Sequence, residues 1–165
     1  MKSLILVKNL VIQITIFFVI FQLLTWFKES SMLDTQQNLN ALNFNVPTIT
    51  GEVISLTPNS KTVIYFFAPW CSICHASIDN LQALYEKNET INVIAVALDY
   101  VDVKEIEAFV SQHQLTFPIA IGNESIKQAY KVPGYPSYYV IDEDNTVISK
   151  SIGYSTEIGL YFRSF

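Results

Sequence analysis

Phe66-Phe67-Ala68-Pro69-Trp70-Cys71-Ser72-Ile73-Cys74-His75 is the stretch that decides how this 165-residue chain is read. It holds both cysteines of the sequence, with two residues between them. The run Thr62-Val63-Ile64-Tyr65-Phe66-Phe67 is β-branched and aromatic, as a buried strand would be. Beyond it, Ile73, Ala76, Ile78, Leu81, Leu84 and Tyr85 are spaced to give a helix over residues 72–87 one buried face. The cysteines therefore fall where a strand ends and a helix begins. The first turn of a helix offers unpaired N–H groups and the positive end of the macrodipole. In thiol–disulfide exchange the thiolate is the nucleophile. Cys71, at the helix entrance, is the expected attacking sulfur. Cys74, one turn further in, is expected to resolve the mixed disulfide.

Composition narrows the alternatives. Half the residues are hydrophobic and 13% are aromatic, enough for a packed core in one domain plus an appendage. A net charge of −5 leaves no basic footprint for nucleic acid. Two cysteines are too few for a disulfide-stapled fold. The loop they close is also too short for a cross-link to stabilise much.

The N-terminus reads as a membrane anchor. Residues 1–8 carry Lys2 and Lys8 and no acid, and residues 9–27 carry no charge. As a helix, those residues span roughly 28 Å at about 1.5 Å each, close to the ~30 Å hydrocarbon thickness. Trp26 and Phe27 stand where an interfacial anchor would. Lys28 to Asp34 offer a poor cleavage site, which favours an uncleaved anchor over a signal peptide. The positive-inside rule keeps residues 1–8 cytoplasmic and carries the rest across the membrane. Disulfide chemistry is permitted there. Residues 28–44, polar and rich in Gln and Asn, are expected to be a tether, and residues 45–165 the folded domain.

Within that domain the pattern gives a short strand at Val53–Leu56, a loop at Thr57–Lys61, the central strand and the Cys71 helix. A buried strand at Ile91–Leu98, a helix at Val103–Gln114 and a short strand at Phe117–Ile121 follow. Pro118 puts that strand near an edge or a strand start. A short helix is expected at Ser125–Tyr130. Strands Ser137–Ile141 and Thr146–Ser149 read as a hairpin about Asp142–Asn145, and Thr156–Phe162 as a last helix. This order points to an α/β sandwich around a mixed sheet.

Trp70-Cys71-Ser72-Ile73-Cys74 resembles the W-C-x-x-C site of the thioredoxin superfamily. Tyr130 to Asp142, with Pro133-Gly134-Tyr135-Pro136, resembles the segment carrying that family's cis-proline. Leu115-Thr116-Phe117-Pro118 and the extra strand and helix before it are similar to the membrane-anchored TlpA/ResA/CcmG-type branch. The resemblance covers roughly Phe44 to Tyr154. It implies a thioredoxin-like fold and a redox-active Cys71–Cys74 disulfide. It also implies a cis Pro136 packed near that pair, and substrate docking by Trp70, Pro136 and the Tyr135 backbone. No cofactor is implied. Electrons would come from a membrane-embedded donor of the DsbD/CcdA type and pass to protein disulfides. The setting would be the outer face of a bacterial inner membrane, with roles in cytochrome c maturation or thiol reduction. The chain also departs from the family. Thioredoxin has a buried aspartate six residues before its first cysteine, and here Tyr65 stands there. No glutamate follows Cys74 closely, the nearest acid being Asp79. His75 is a candidate auxiliary group.

Two other chemistries use the same residues. Cys71-Ser72-Ile73-Cys74-His75 also spells C-x-x-C-H, the attachment sequence of a c-type haem, with His75 on the iron of an electron carrier. The buried strand just before it argues against that, and Met1 and Met32, the only methionines, both precede the folded domain. Two thiolates with His75 could instead hold Cu(I) or Zn(II). No further Cys or Met-rich tract completes such a site. His113, late in its helix, is expected to cap it or to face water.

Overall fold

A computed structural model describes residues 2–39, 44–56 and 60–164, with side chains from residue 7 onward. Residues 40–43 of the expected tether and 57–59 of the expected loop lie outside it, as do Met1 and Phe165. The elements in order are α1 (Lys2–Ser30), β1 (Asn45–Pro47), β2 (Val53–Ser55), β3 (Lys61–Phe67), α2 (Ser72–Lys87), β4 (Ile91–Ala97) and α3 (Val103–Gln112). Then come β5 (Ile119–Ile121), α4 (Glu124–Ala129), β6 (Ser137–Ile141), β7 (Val147–Ile152) and α5 (Glu157–Arg163).

Five strands form one mixed sheet in the order β5-β4-β3-β6-β7. β3 runs parallel to β4 and antiparallel to β6. β5 lies at an edge, where Pro118 suggested it would. β3 is covered on both faces, so its run is continuously apolar rather than alternating. Its side chains still alternate in direction. Val63, Tyr65 and Phe67 enter a core with Ile78, Leu81 and Leu84 of α2, Ile106 and Phe109 of α3, and Leu160 of α5. Ile64 and Phe66 enter a second core with Tyr130, Tyr139, Ile141 and Val147. These two layers, with helices on the sheet, are the α/β arrangement expected from the pattern, in the thioredoxin-like form that the resemblance implied.

Helix starts follow ordinary capping, with one exception that matters. Asp102, Asn123 and Thr156 each cap a helix through a side-chain oxygen that accepts a backbone N–H. α2 is capped by sulfur: Cys71 Sγ accepts from the Cys74 N–H at 3.1 Å.

The segment beyond α1 corrects the expectation of a tether. Met32, Leu33 and Leu39 are buried in the second core. Gln36 N–H donates to the Val147 carbonyl and Val147 N–H to the Gln37 carbonyl. Leu39 N–H donates to the Asn145 carbonyl. Leu33 N–H donates to the Tyr139 hydroxyl at 3.0 Å, and that hydroxyl donates to the Tyr130 carbonyl at 2.7 Å. Residues 31–39 are thus stitched along β7 and pinned to β6. Their three apolar side chains and their paired backbone both favour docking over free chain. β1 was likewise not expected: it pairs with β2 as a separate two-stranded ribbon, Val46 opposite Ile54.

α1 carries its charges at its ends and is predominantly apolar between Lys8 and Lys28. Val7–Ser30 has a mean hydropathy of 2.2 over its most apolar window, and none of that window is buried in the protein. It is one helix long and apolar enough to cross a membrane.

Candidate active site

β3 ends at Phe67, whose carbonyl accepts from Leu98 N–H at 2.8 Å. The chain then turns through Ala68, Pro69 and Trp70, and Cys71 N–H donates back to the Ala68 carbonyl at 3.0 Å. Cys71 and Cys74 are joined as a disulfide across the first turn of α2. Cys71 retains 6% of its residue surface and Cys74 none. Trp70 stands 64% exposed beside them.

The rim of the site is held by groups that the sequence did not single out. Trp70 Nε1–H donates to the Asp99 carbonyl at 2.8 Å. Asp99 takes a positive φ of 50° to present it. The Asp99 carboxylate pairs with Lys127 at 2.6 Å, and the Lys127 ammonium lies 5.7 Å from the centre of the Tyr135 ring. Tyr135 meets Trp70 edge to face at 6.0 Å. Partial desolvation pushes the Asp99 carboxyl up, but the Lys127 ammonium and the Tyr135 hydroxyl together outweigh it and hold that group below its ordinary value. Burial, and then the Asp99 carboxylate, push the Tyr135 hydroxyl well above its own, so it remains a neutral phenol. The Tyr135–Pro136 peptide is cis, as the resemblance implied. Pro136 is buried and Tyr135 packs on the core that contains both cysteines.

In the core that also holds both cysteines, Tyr65, at the position where the resemblance put a carboxylate, forms a neutral hydroxyl pair with Ser77. Tyr65 OH and Ser77 Oγ lie 2.7 Å apart, both buried. Burial raises the Tyr65 hydroxyl far above its usual value, more than its bond to Ser77 lowers it. Tyr138 stacks on Tyr65 at 6.0 Å, with Arg163 of α5 donating to its hydroxyl at 3.1 Å. This layer offers no ionised acceptor for a proton from Cys74.

His75 does not face solvent alone. Its Nε2 lies 2.9 Å from the Pro69 carbonyl oxygen and its Nδ1 2.8 Å from His113 Nε2. His113, the C-cap of α3, turns its Nδ1 to Asp79 at 2.7 Å. The expectation that His113 caps its helix holds, but its side chain is only 9% exposed rather than open to water. The spacing of His75 and Asp79, four apart on α2, was a signal for one face; His113 gave none. Both His75 nitrogens are engaged within the protein, which leaves no lone pair for a haem iron in this arrangement. The three groups satisfy one another instead of converging on a point, and no cluster among the described residues is placed to hold a metal ion.

Comparison with known proteins fits this geometry. Residues 38–150 match the model of the AhpC/TSA family. The chain is 31% identical over 121 residues to the thiol-disulfide oxidoreductase ResA of Bacillus cereus, covering 71% of this chain and 70% of that one. It is 26% identical over 147 residues to the sporulation thiol-disulfide oxidoreductase A of Bacillus subtilis, covering 85% and 88%. The crystal structure of StoA from Bacillus subtilis superposes with a TM-score of 0.65 at 25% identity, over 74% of this chain and 96% of that one. The chain belongs to the AhpC/TSA family of thioredoxin-like proteins. Within it, the protein is a thiol–disulfide oxidoreductase with Cys71 and Cys74 as its cysteine pair.

Proposed function

We propose that the protein is a membrane-anchored disulfide reductase working outside the cytoplasm. Reduced Cys71 attacks a substrate disulfide through its thiolate, and Cys74 then attacks Cys71 Sγ to release the reduced substrate. The Cys71–Cys74 disulfide is regenerated at α2 and awaits electrons from a partner. The observation that carries this reading is the sulfur cap: Cys71 Sγ stands where the helix N–H groups favour negative charge. Trp70, exposed ahead of it, and the Tyr135-Pro136 segment form the docking rim for an extended substrate strand. Pro136 brings no N–H, so pairing there falls to Tyr135. Residues 9–27 lie in the bilayer, with Lys2 and Lys8 on the cytoplasmic side. The resemblance to the TlpA/ResA/CcmG-type branch supports a donor of the DsbD/CcdA type, a bacterial inner membrane, and roles in cytochrome c maturation or thiol reduction.

The chain has only two cysteines, so thiol labelling reads both location and redox state. Intact cells are treated with a membrane-impermeant maleimide, and a second sample is first quenched in acid and then alkylated. The expected result is labelling of Cys71 or Cys74 in unlysed cells, with the pair mostly reduced at the quench. A pair that resists the impermeant reagent until lysis would put the domain in the cytoplasm. A pair fully oxidised at the quench in growing cells would reverse the direction of electron flow.

A further inference from the structure

Three titratable side chains beside the disulfide stand in single file between two fixed ends. The Pro69 carbonyl oxygen meets His75 Nε2 at 2.9 Å, His75 Nδ1 meets His113 Nε2 at 2.8 Å, and His113 Nδ1 meets Asp79 Oδ1 at 2.7 Å. The ends dictate the hydrogens. A carbonyl oxygen only accepts, so His75 Nε2 carries one. A carboxylate only accepts, so His113 Nδ1, 2.7 Å from Asp79 Oδ1, carries another. The central bond needs a third, on His75 Nδ1 or on His113 Nε2. Two neutral imidazoles bring two hydrogens between them. With all three bonds made, the pair therefore carries one extra proton and a single positive charge.

The surroundings suit a cation independently of that count. His113 is the C-cap of α3, where the helix carbonyls favour positive charge. The Phe109 ring lies 4.8 Å from His113 and 4.5 Å from His75. Asp79 faces the pair from α2. Glu105 of α3 lines the groove that His75 shares with Pro69 and Trp70. Cys74 precedes His75 in the chain, and His75 N–H donates to the Cys71 carbonyl at 3.1 Å.

We propose that His75, His113 and Asp79 are positioning residues of the redox site. The file holds one extra proton, and with it a positive charge on its two imidazoles, beside the Cys71–Cys74 turn, and it ties the loop entering Cys71 to α2 and α3 through the Pro69 carbonyl. This rests on the thiol–disulfide reading above. A dithiol that reduces the pair loses two electrons and two protons. The Cys71–Cys74 bond breaks, Cys74 keeps one proton as a thiol, and the second goes to solvent where Cys71 remains a thiolate. The charge on the file favours that thiolate. When rising pH removes the extra proton, one of the three bonds loses its hydrogen and the advantage disappears.

The test uses the full chain, reduced, in detergent. Alkylation of Cys71 by iodoacetamide is followed by peptide mass from about pH 5 to 9, the range in which histidine changes charge. His113→Gln can still donate an amide hydrogen to His75 Nδ1 but cannot hold the extra proton. Its Cys71 reactivity near pH 6 is expected to fall about fivefold, the order that removing one partly screened unit charge produces. Asp79→Asn removes an exposed countercharge without touching the core, and should make the advantage over His113→Gln disappear at lower pH than in the parent. Profiles that superimpose on the parent's for both variants would overturn the proposal, even if their urea stability fell. The same samples report intact mass in dithiol buffers. A parent without a reversible dithiol–disulfide transition would instead defeat the underlying reading, and the proposal with it.

Discussion

Cys71→Ser is expected to lose thiol–disulfide exchange by at least ~1,000-fold, because a serine hydroxyl replaces the only sulfur with access to a substrate. Cys74 cannot substitute for it, since none of its surface is exposed. Cys74→Ser fails differently. Cys71 can still attack a substrate disulfide, but no second thiol stands one helical turn away to break the mixed disulfide. The variant should therefore accumulate covalent adducts at Cys71, seen as bands on a non-reducing gel that vanish with dithiothreitol. The two roles are separable by this asymmetry alone. Equal trapping by both variants would show that the sulfurs are interchangeable, and no trapping by either would remove Cys71 as the nucleophile.

Phe67→Ala is expected to cost about 3–5 kcal/mol, the range for deleting a buried aromatic ring. Phe67 is fully buried at the end of β3, with its ring 4.7 Å from Phe109 and 6.3 Å from Tyr65. That loss is a large part of an ordinary domain's 5–15 kcal/mol. With a urea m-value of about 2 kcal/mol/M, the midpoint should fall by about 2 M. The position also links core and site, because Phe109 is the ring against which His75 and His113 lie. Val101→Ala, at a site 91% exposed, is the control and should change stability by less than ~0.5 kcal/mol. A midpoint for Phe67→Ala within that margin would mean that the cavity is refilled by its neighbours.

The strand–helix junction was legible because its signals are local. The apolar run to Phe67 and the spacing of Ile78, Leu81 and Leu84 each declare an element, with the cysteines between them, although Ile73 and Ala76, expected on the buried face, are exposed. The hairpin at Asp142–Asn145 was legible for the same reason. Pro136 became readable only through resemblance, since nothing in Tyr135-Pro136-Ser137 by itself distinguishes a cis bond from a trans one. The docking of residues 31–39 was missed because Met32, Leu33 and Leu39 have no period and sit among Gln and Asn. What buries them is backbone pairing of Gln36 and Gln37 with Val147 and of Leu39 with Asn145, more than 100 residues away in sequence. The His75–His113–Asp79 file was missed because its central bond spans 38 residues. Asp99 and Lys127 escaped notice because one acts on Trp70 through its backbone carbonyl, which no side-chain pattern records.

The reduction potential of the Cys71–Cys74 pair in the full chain, equilibrated in defined dithiol–disulfide buffers and read by the mass of two hydrogens and by Trp70 fluorescence, is the most direct test. A reversible two-electron transition near or below the potential of thioredoxin, about −270 mV, is the result expected of a reductase. A value near that of DsbA, about −120 mV, would make the protein an oxidant. The absence of any reversible transition would contradict the oxidoreductase chemistry itself.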